Sequence, residues 1–231
     1  MESFSGDVKS IKMDLKACSV SVVAEDGCGL KSTGYTGDKK LMPEISFENG
    51  ELTVTQNSVG GIFHGAMAIN KPCLTVTVGK ETVLNDLDIK INAGDVSVSG
   101  ITADWFSGVI NAGNLSVSDG NFLKAEFRIK AGNVNFRNTN FNKAETDVKA
   151  GSVKFDIEED FEQYDIECKV KTGSVKAGQD ISGREYSSKG KNTNSIPNSW
   201  GIYIATALIS CMIVPLFLQK PQSSMKTMPA M

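Results

Sequence analysis

The residues that could carry chemistry in this sequence are few and widely separated. The five cysteines form no C-x-x-C pair, the spacing typical of zinc and redox sites. We expect small buried thiols, with a Cys18–Cys28 disulfide as the alternative. His64 is the only histidine, so neither a histidine metal site nor a histidine-based triad has support. The cysteines are Cys18, Cys28, Cys73, Cys168 and Cys211.

One acidic segment could bind a cation. Residues 156–167 contain seven acids in twelve residues but lack the spacing of a calcium loop, so a solvated loop is favoured. Gly190-Lys191 lacks the other residues of a phosphate-binding loop, and the Asn114 glycosylation sequon lies in a predicted strand, so neither indicates a site. The sequence therefore predicts no catalytic, cofactor-binding or metal-ligating residue, and a protein that is not an enzyme.

An internal repeat is the strongest signal in the chain. A motif of the form apolar-x-Ala-Gly-x-(Val/Leu)-x-apolar recurs, with one drift to Thr-Gly in its last copy, and its glycines are 19, 19, 19 and 22 residues apart. The alternation has period two, which indicates strands and not helices. We therefore predict an all-β, single-stranded parallel β-solenoid with coils of about 19 residues. The repeat glycines are Gly94, Gly113, Gly132, Gly151 and Gly173.

The alternation also assigns side chains to faces. Each repeat glycine is expected at a tight bend or a positive φ. A weaker copy, Leu15–Val22, has Cys18 at the glycine position and is expected to be an atypical first coil. The predicted solvent-facing row is Ser97, Ser116, Asn135, Lys154 and Lys176. The large apolar residues of the second half of each coil are expected to fill the core: Ile101, Trp105, Phe106, Phe122, Phe127 and Phe141.

The segments outside the repeat lead to further predictions. Residues 43–56 predict a β-hairpin with a type I′ turn at Asn49-Gly50. The apolar, glycine-rich loop 58–70 is expected either to cap the solenoid or to dock a partner or membrane. Residues 201–218 carry no charge, and as a helix they would extend about 27 Å, enough to cross a hydrocarbon core.

Three interpretations of that C-terminal run remain open: a membrane anchor, an irregular cap, or an altered reading frame. The opening residues lack the apolar core of a signal peptide. We therefore divide the chain into a solenoid domain, a polar linker, a transmembrane or capping segment, and a short tail. Their ranges are 1–186, 187–199, 200–219 and 220–231.

One stretch of the chain resembles a known family. Leu74–Gly100 contains an LTVTV strand, a Gly-Lys-Glu link and the first A-G-D-V-x-V unit, and it resembles the bacterial putative-adhesin β-strand-repeat family, a domain of unknown function. The residues after Phe4 look like that family's first strand, so the resemblance covers residues 4–186. It implies a β-solenoid at bacterial cell envelopes, without catalytic residues. The chain departs from the family at Cys18 and at 201–218.

Three functions follow as alternatives. The first is a non-enzymatic cell-envelope or surface scaffold, an adhesin that binds an envelope protein or a glycan. The second is a membrane-tethered envelope-stress regulator or sensor, anchored by residues 201–218. The third is a polysaccharide-processing enzyme, which is disfavoured because the predicted outward row offers no carboxylate pair.

The net charge and the ends of the chain limit the partners and the location that we expect. A net charge of −3 and 7% aromatic residues argue against nucleic acid. We expect a location in the cell envelope or at a membrane, with the cytoplasmic face open as well because no signal peptide is recognised. Unpaired strands at the ends of a solenoid would favour self-association.

Overall fold

A computed structural model describes residues 2–3, 6–57, 72–156, 164–177 and 181–189. Those residues form seventeen strands and one short 3₁₀ helix, Lys39–Leu41, with no α-helix among them. The strands are β1 (Glu2–Ser3), β2 (Ser10–Ala17), β3 (Ser19–Glu25), β4 (Leu30–Thr36), β5 (Glu44–Glu48), β6 (Glu51–Thr55), β7 (Cys73–Gly79), β8 (Val83–Ala93), β9 (Val96–Ser99), β10 (Thr102–Ala112), β11 (Leu115–Ser118), β12 (Asn121–Ala131), β13 (Val134–Arg137), β14 (Asn140–Asp156), β15 (Asp165–Ala177), β16 (Ile181–Gly183) and β17 (Glu185–Ser188).

Each repeat contributes one long and one short strand to two parallel ladders. In the long-strand ladder β6, β2, β8, β10, β12, β14 and β15 pair in that order. Ile91 lies beside Ile110, and Ile110 beside Ile129, so the 19-residue repeat is also the strand register. In the short-strand ladder β7, β3, β9, β11 and β13 pair in order, followed by the C-terminal parts of β14 and β15. The predicted fold class is confirmed.

The core lies between the two ladders. Phe127 of the long-strand ladder contacts Phe136 of the short-strand ladder, with ring centroids 5.6 Å apart. Gly108 makes room for the Phe127 ring, because a Cβ at Gly108 would lie 2.8 Å from it. All the predicted far-wall residues except Trp105 are fully buried. Large and small residues thus interdigitate along the stack, as close packing requires.

The coils turn where the period-two alternation is interrupted. Ala103 and Phe106 both face inward although they are three positions apart, so the strand bends between them. A second turn follows each short strand, where Gly100, Asp119 and Asn138 occupy equivalent positions with φ of 70°, 54° and 46°. Asp and Asn are the non-glycine residues that best tolerate this left-handed conformation, so the turn is built into the repeat.

Antiparallel strands cover both ends of the stack. At the N-terminal end, β5 and β6 form the predicted hairpin, with Asn49 and Gly50 both at positive φ, and β4 pairs antiparallel with β7. At the other end, β16 and β17 pair antiparallel with β15. The Cys18 coil (β2 and β3) lies between β6–β7 and β8–β9, so it is not the terminal coil of the stack.

Several predictions fall outside the described residues. They concern the 58–70 loop with His64, most of the acidic run, Cys211 and the apolar run 201–218. Within the described residues, no helix is long and apolar enough to cross a membrane. The division of the chain into four segments and the anchored-sensor hypothesis stay predictions.

Candidate functional site

The repeat glycines form the tight corner between the two ladders. All five have a positive φ, from 136° at Gly173 to 151° at Gly94. A Cβ at Gly113 would overlap the carbonyl oxygen of Gly94, and each later glycine stands in the same way against the one before it. The corner column is therefore a place where backbones of successive coils touch, and it leaves no space for a ligand between them.

The residue after each glycine carries the hydrogen bonds of the corner. Asn114 donates from its backbone N–H and its side-chain amide to the Asp95 carboxylate, at 2.8 and 2.9 Å. Asn133 makes the same two bonds to the Asn114 side chain, and Ser152 bonds to Asn133. The Asn114 side chain is thus hydrogen-bonded to the coils on both sides of its own.

The predicted outward row of the short-strand ladder lies on the solvent side. Ser97, Ser116 and Lys154 are exposed, and Lys154 pairs with Asp156 at 3.0 Å. Asn135 is half-buried, and its side-chain oxygen has no hydrogen-bond partner among the described residues. The chemistry of this row is limited to hydroxyl, amide and ammonium groups.

The outward face of the long-strand ladder carries a carboxylate row that the sequence analysis missed. Glu126, Glu145 and Glu167 are direct neighbours on β12, β14 and β15. They border a shallow depression of about 230 Å³. Their separations equal those of the last three repeat glycines, so aligning the coils on glycine would have found them.

Basic partners set the electrostatics of the carboxylate row. Arg128 lies 2.5 Å from Glu126, and Lys169 lies 2.6 Å from Glu167. Lys143 donates a hydrogen bond to Glu145 at 2.5 Å, and this bond holds the pKa of the Glu145 carboxyl below its ordinary value. A general acid for glycoside cleavage needs the opposite shift, a raised pKa. The row therefore provides charged recognition groups more readily than an acid–base pair.

The prediction that Trp105 fills the core is wrong. Its side chain faces solvent and is 44% exposed, because the strand bend places both residues 104 and 105 outward. Trp105 pairs with Asp86 on β8 and with Lys124 on β12, and the Lys124 Nζ lies 5.0 Å from the ring centroid. This geometry is a cation–π contact on one side of an accessible indole.

Polar groups surround the indole. Two residues along the strand, the Ser107 hydroxyl donates to the Asp88 carboxylate at 2.8 Å. Asp86 and Lys124 flank the ring on the two neighbouring strands. An aromatic plane with carboxylate, hydroxyl and ammonium groups beside it can hold a ligand that has one apolar face and several hydroxyls.

The cysteines offer little reactivity. All four in the described residues are free thiols, so the alternative Cys18–Cys28 disulfide is wrong. Burial raises the pKa of the Cys18 and Cys168 thiols to about 12, which keeps them protonated and unreactive. Cys28 and Cys73 are half-buried. In the part of the chain that is described, no cluster of three or more His, Cys, Asp or Glu side chains could hold a metal ion.

Comparison with known proteins identifies the family. The family model described as Toastrack DUF4097 matches residues 8–178, about three quarters of the chain. The chain belongs to the Toastrack DUF4097 family. The resemblance to the putative-adhesin repeat family is thereby confirmed.

Two solved structures are similar to this Toastrack chain. A putative cell adhesion protein from Clostridium sporogenes has 10% identity and a TM-score of 0.48, over 74% of this chain and 92% of that one. A putative adhesin from Parabacteroides merdae has 14% identity and a TM-score of 0.22, over 76% and 93%. No curated protein matches the chain.

The Toastrack chain thus combines a regular scaffold with an irregular surface. Its inward positions and its corner glycines are occupied by packing and backbone contact. On the outward face of the long-strand ladder the side chains vary from coil to coil, and Trp105 is a large apolar side chain there that is exposed. This face is the candidate binding surface.

Proposed function

We propose that this Toastrack protein is a non-enzymatic binding scaffold of the adhesin type, which acts at a cell surface or envelope and holds saccharide chains against Trp105. The observation that supports it is the exposed indole with carboxylate, hydroxyl and ammonium groups beside it. Sugar rings have apolar C–H faces that pack on aromatic planes, while their hydroxyls need hydrogen-bond partners. Asp86, Asp88 and Ser107 lie next to the indole and can accept or donate such bonds.

The rigidity of the platform favours binding. β10, which carries Trp105, is paired along its length with β8 on one side and β12 on the other. Beneath it, the neighbouring inward residue Phe106 packs edge-on against Phe127, with centroids 4.8 Å apart. A side chain held in place by a packed strand loses little freedom when a ligand binds, so more of the contact energy becomes affinity.

Binding can be followed through the indole itself. The sequence contains one other tryptophan, so a Trp200→Phe background leaves Trp105 as the only fluorescent indole. We expect neutral oligosaccharides from envelope glycans to shift its emission, and Trp105→Ala to weaken binding measured by calorimetry at least about tenfold. Trp105→Phe should retain part of the affinity because it keeps an aromatic plane.

Met42 provides the matched control. Its side chain is 47% exposed, so Met42→Ala removes an equally accessible apolar group far from the indole in sequence. Binding should be unchanged in that variant. Equal losses in Met42→Ala and Trp105→Ala, or wild-type affinity in Trp105→Ala, would overturn the proposal.

A further inference from the structure

A file of lysines runs along the edge of the long-strand face beside the glycine corner. Lys130, Lys149 and Lys171 occupy equivalent positions on β12, β14 and β15, so each is the direct neighbour of the next. All three side chains are exposed. We call these three residues the lysine file.

The lysine file differs from every other basic group on this sheet face. In the long-strand parts of β2, β8, β12, β14 and β15, every other lysine and the arginine form an ion pair with a neighbouring carboxylate, whereas no member of the file pairs with a described residue. Like charges directly opposite each other destabilise a sheet. The file therefore holds unneutralised positive charge at a cost in stability.

The same position in the earlier coils shows the stable alternatives. In the Cys18 coil it holds Lys16, which pairs with Asp14, and the next two coils carry asparagine. There Asn92 and Asn111 are neighbours, and the Asn111 amide donates to the Asn92 side-chain oxygen at 2.7 Å. This hydrogen bond joins the two neighbouring side chains without bringing like charges together. The change from Asn111 to Lys130 and the lysines after it thus replaces a hydrogen-bonded pair with a repulsive row, which a purely structural role does not explain.

From this contrast we infer that the lysine file is a binding edge for a single linear anionic polysaccharide chain, with the acidic groups of successive sugars facing successive coils. Each coil adds about 4.8 Å along the stack. That rise is comparable to the length of one sugar unit in an extended polysaccharide. The acidic groups of the polymer and the lysines of the file therefore recur at a similar spacing.

The surroundings of the file favour a single chain over a flat membrane surface. On one side lie the small corner residues, Ala131 and Ala150 with their glycines, which present no bulky side chain to a chain resting on the file. On the other side lie Arg128, Asp147 and Lys169, and beyond them the ion-paired carboxylate row. Because these groups carry no excess positive charge, the positive charge of the edge is confined to a narrow line, which suits one polymer chain better than a broad anionic surface.

Nucleic acid fits the same edge less well. Trp105 lies six residues along the strand from the position equivalent to Lys130, about 20 Å away at strand spacing, so it is too far to stack bases over the file. The inference concerns a different edge from the Trp105 platform, and either can fail alone.

The test measures binding of the full chain to polygalacturonate oligomers at low ionic strength. We expect the triple variant Lys130→Gln/Lys149→Gln/Lys171→Gln to bind at least about tenfold more weakly. The corresponding triple Lys→Arg variant should keep the affinity, and added salt should weaken wild-type binding. Relief of repulsion should leave the glutamine variant at least as thermally stable as the wild type, which separates lost binding from lost folding.

A second triple variant controls for net charge. Lys12→Gln/Lys80→Gln/Lys90→Gln removes three lysines that are ion-paired in the structure, and it should change affinity by less than about twofold. Trp105→Ala should leave polygalacturonate binding intact. An equal loss in the control triple, no wild-type binding, or equally tight binding of single-stranded DNA or anionic vesicles would overturn the inference.

Discussion

At the residue scale, glycine is required in the corner column for two independent reasons. The backbone there has a φ that other residues rarely adopt, and the space for a Cβ is occupied by the carbonyl of the preceding coil. Cys18 shows the converse, because its φ is not positive and it can carry a side chain at the equivalent position. The glycine pattern is thus a consequence of stacking and not of chemistry.

Gly132→Ala tests this requirement in the middle of the stack. Its φ is 149°, and an added Cβ would overlap the Gly113 carbonyl oxygen, so the backbone must shift. We expect a loss of about 3 kcal/mol in the free energy of unfolding, measured by urea denaturation. Gly34→Ala is the control, because Gly34 lies in a strand with no atom within 4 Å of an added Cβ. A comparable loss in both variants would contradict the explanation.

Two buried threonines should respond in opposite directions to the same substitution. The Thr146 hydroxyl has no hydrogen-bond partner among the described residues, whereas the Thr139 hydroxyl donates to the Arg137 carbonyl at 2.8 Å. Thr146→Val should raise the free energy of unfolding by about 1 kcal/mol, and Thr139→Val should lower it by about 1 kcal/mol. Thermal and urea unfolding of both variants check this, and a fall for Thr146→Val would mean that its hydroxyl is satisfied.

At the element scale, the repeat predicted most of the architecture because residues one repeat apart in sequence are neighbours on adjacent strands. Trp105 was misplaced because a count of alternate residues within one coil cannot detect a bend. Comparison across coils would have detected it, since the equivalent residues Asp86, Lys124 and Lys143 are all charged. The order of the N-terminal strands could not be predicted, because β6 and β7 lack the glycine motif that reveals register.

Removal of one whole coil should preserve the fold. Deletion of residues 121–139 removes β12 and β13 and leaves Asn140 in the register position of Asn121, so every later side chain keeps its face. We expect a folded protein with a lower thermal midpoint, since one layer of core is lost. Deletion of 121–138 is the matched control, because the one-residue slip turns Phe141 and the residues after it toward solvent.

Far-UV circular dichroism and size-exclusion chromatography compare the two deletions. The 19-residue deletion should keep a β spectrum and elute as a discrete species, whereas the 18-residue deletion should aggregate or lack cooperative unfolding. Identical behaviour of the two would show that register is not set by the repeat.

At the scale of the whole molecule, each end of the stack is covered by strands that pair antiparallel with their neighbours. β5 at one end has exposed Glu44 and Glu48, and β17 at the other is four residues long. Short and charged edge strands are the usual protection against edge-to-edge pairing. They act against the predicted self-association through the solenoid ends, which stays a prediction.

Loosening β17, the strand that covers β15, tests whether it protects that end from pairing with another copy. Successive N–H groups of a strand point to opposite sides, so prolines at both Tyr186 and Ser187 must remove at least one bond from β17 to β15. The uncovered edge of β15 would then be free to pair with another copy. We expect the mean mass from sedimentation to rise with concentration more steeply than for the wild type. Lys189→Pro, one residue past the strand, should behave as the wild type, and so should the double variant if β17 does not guard the edge.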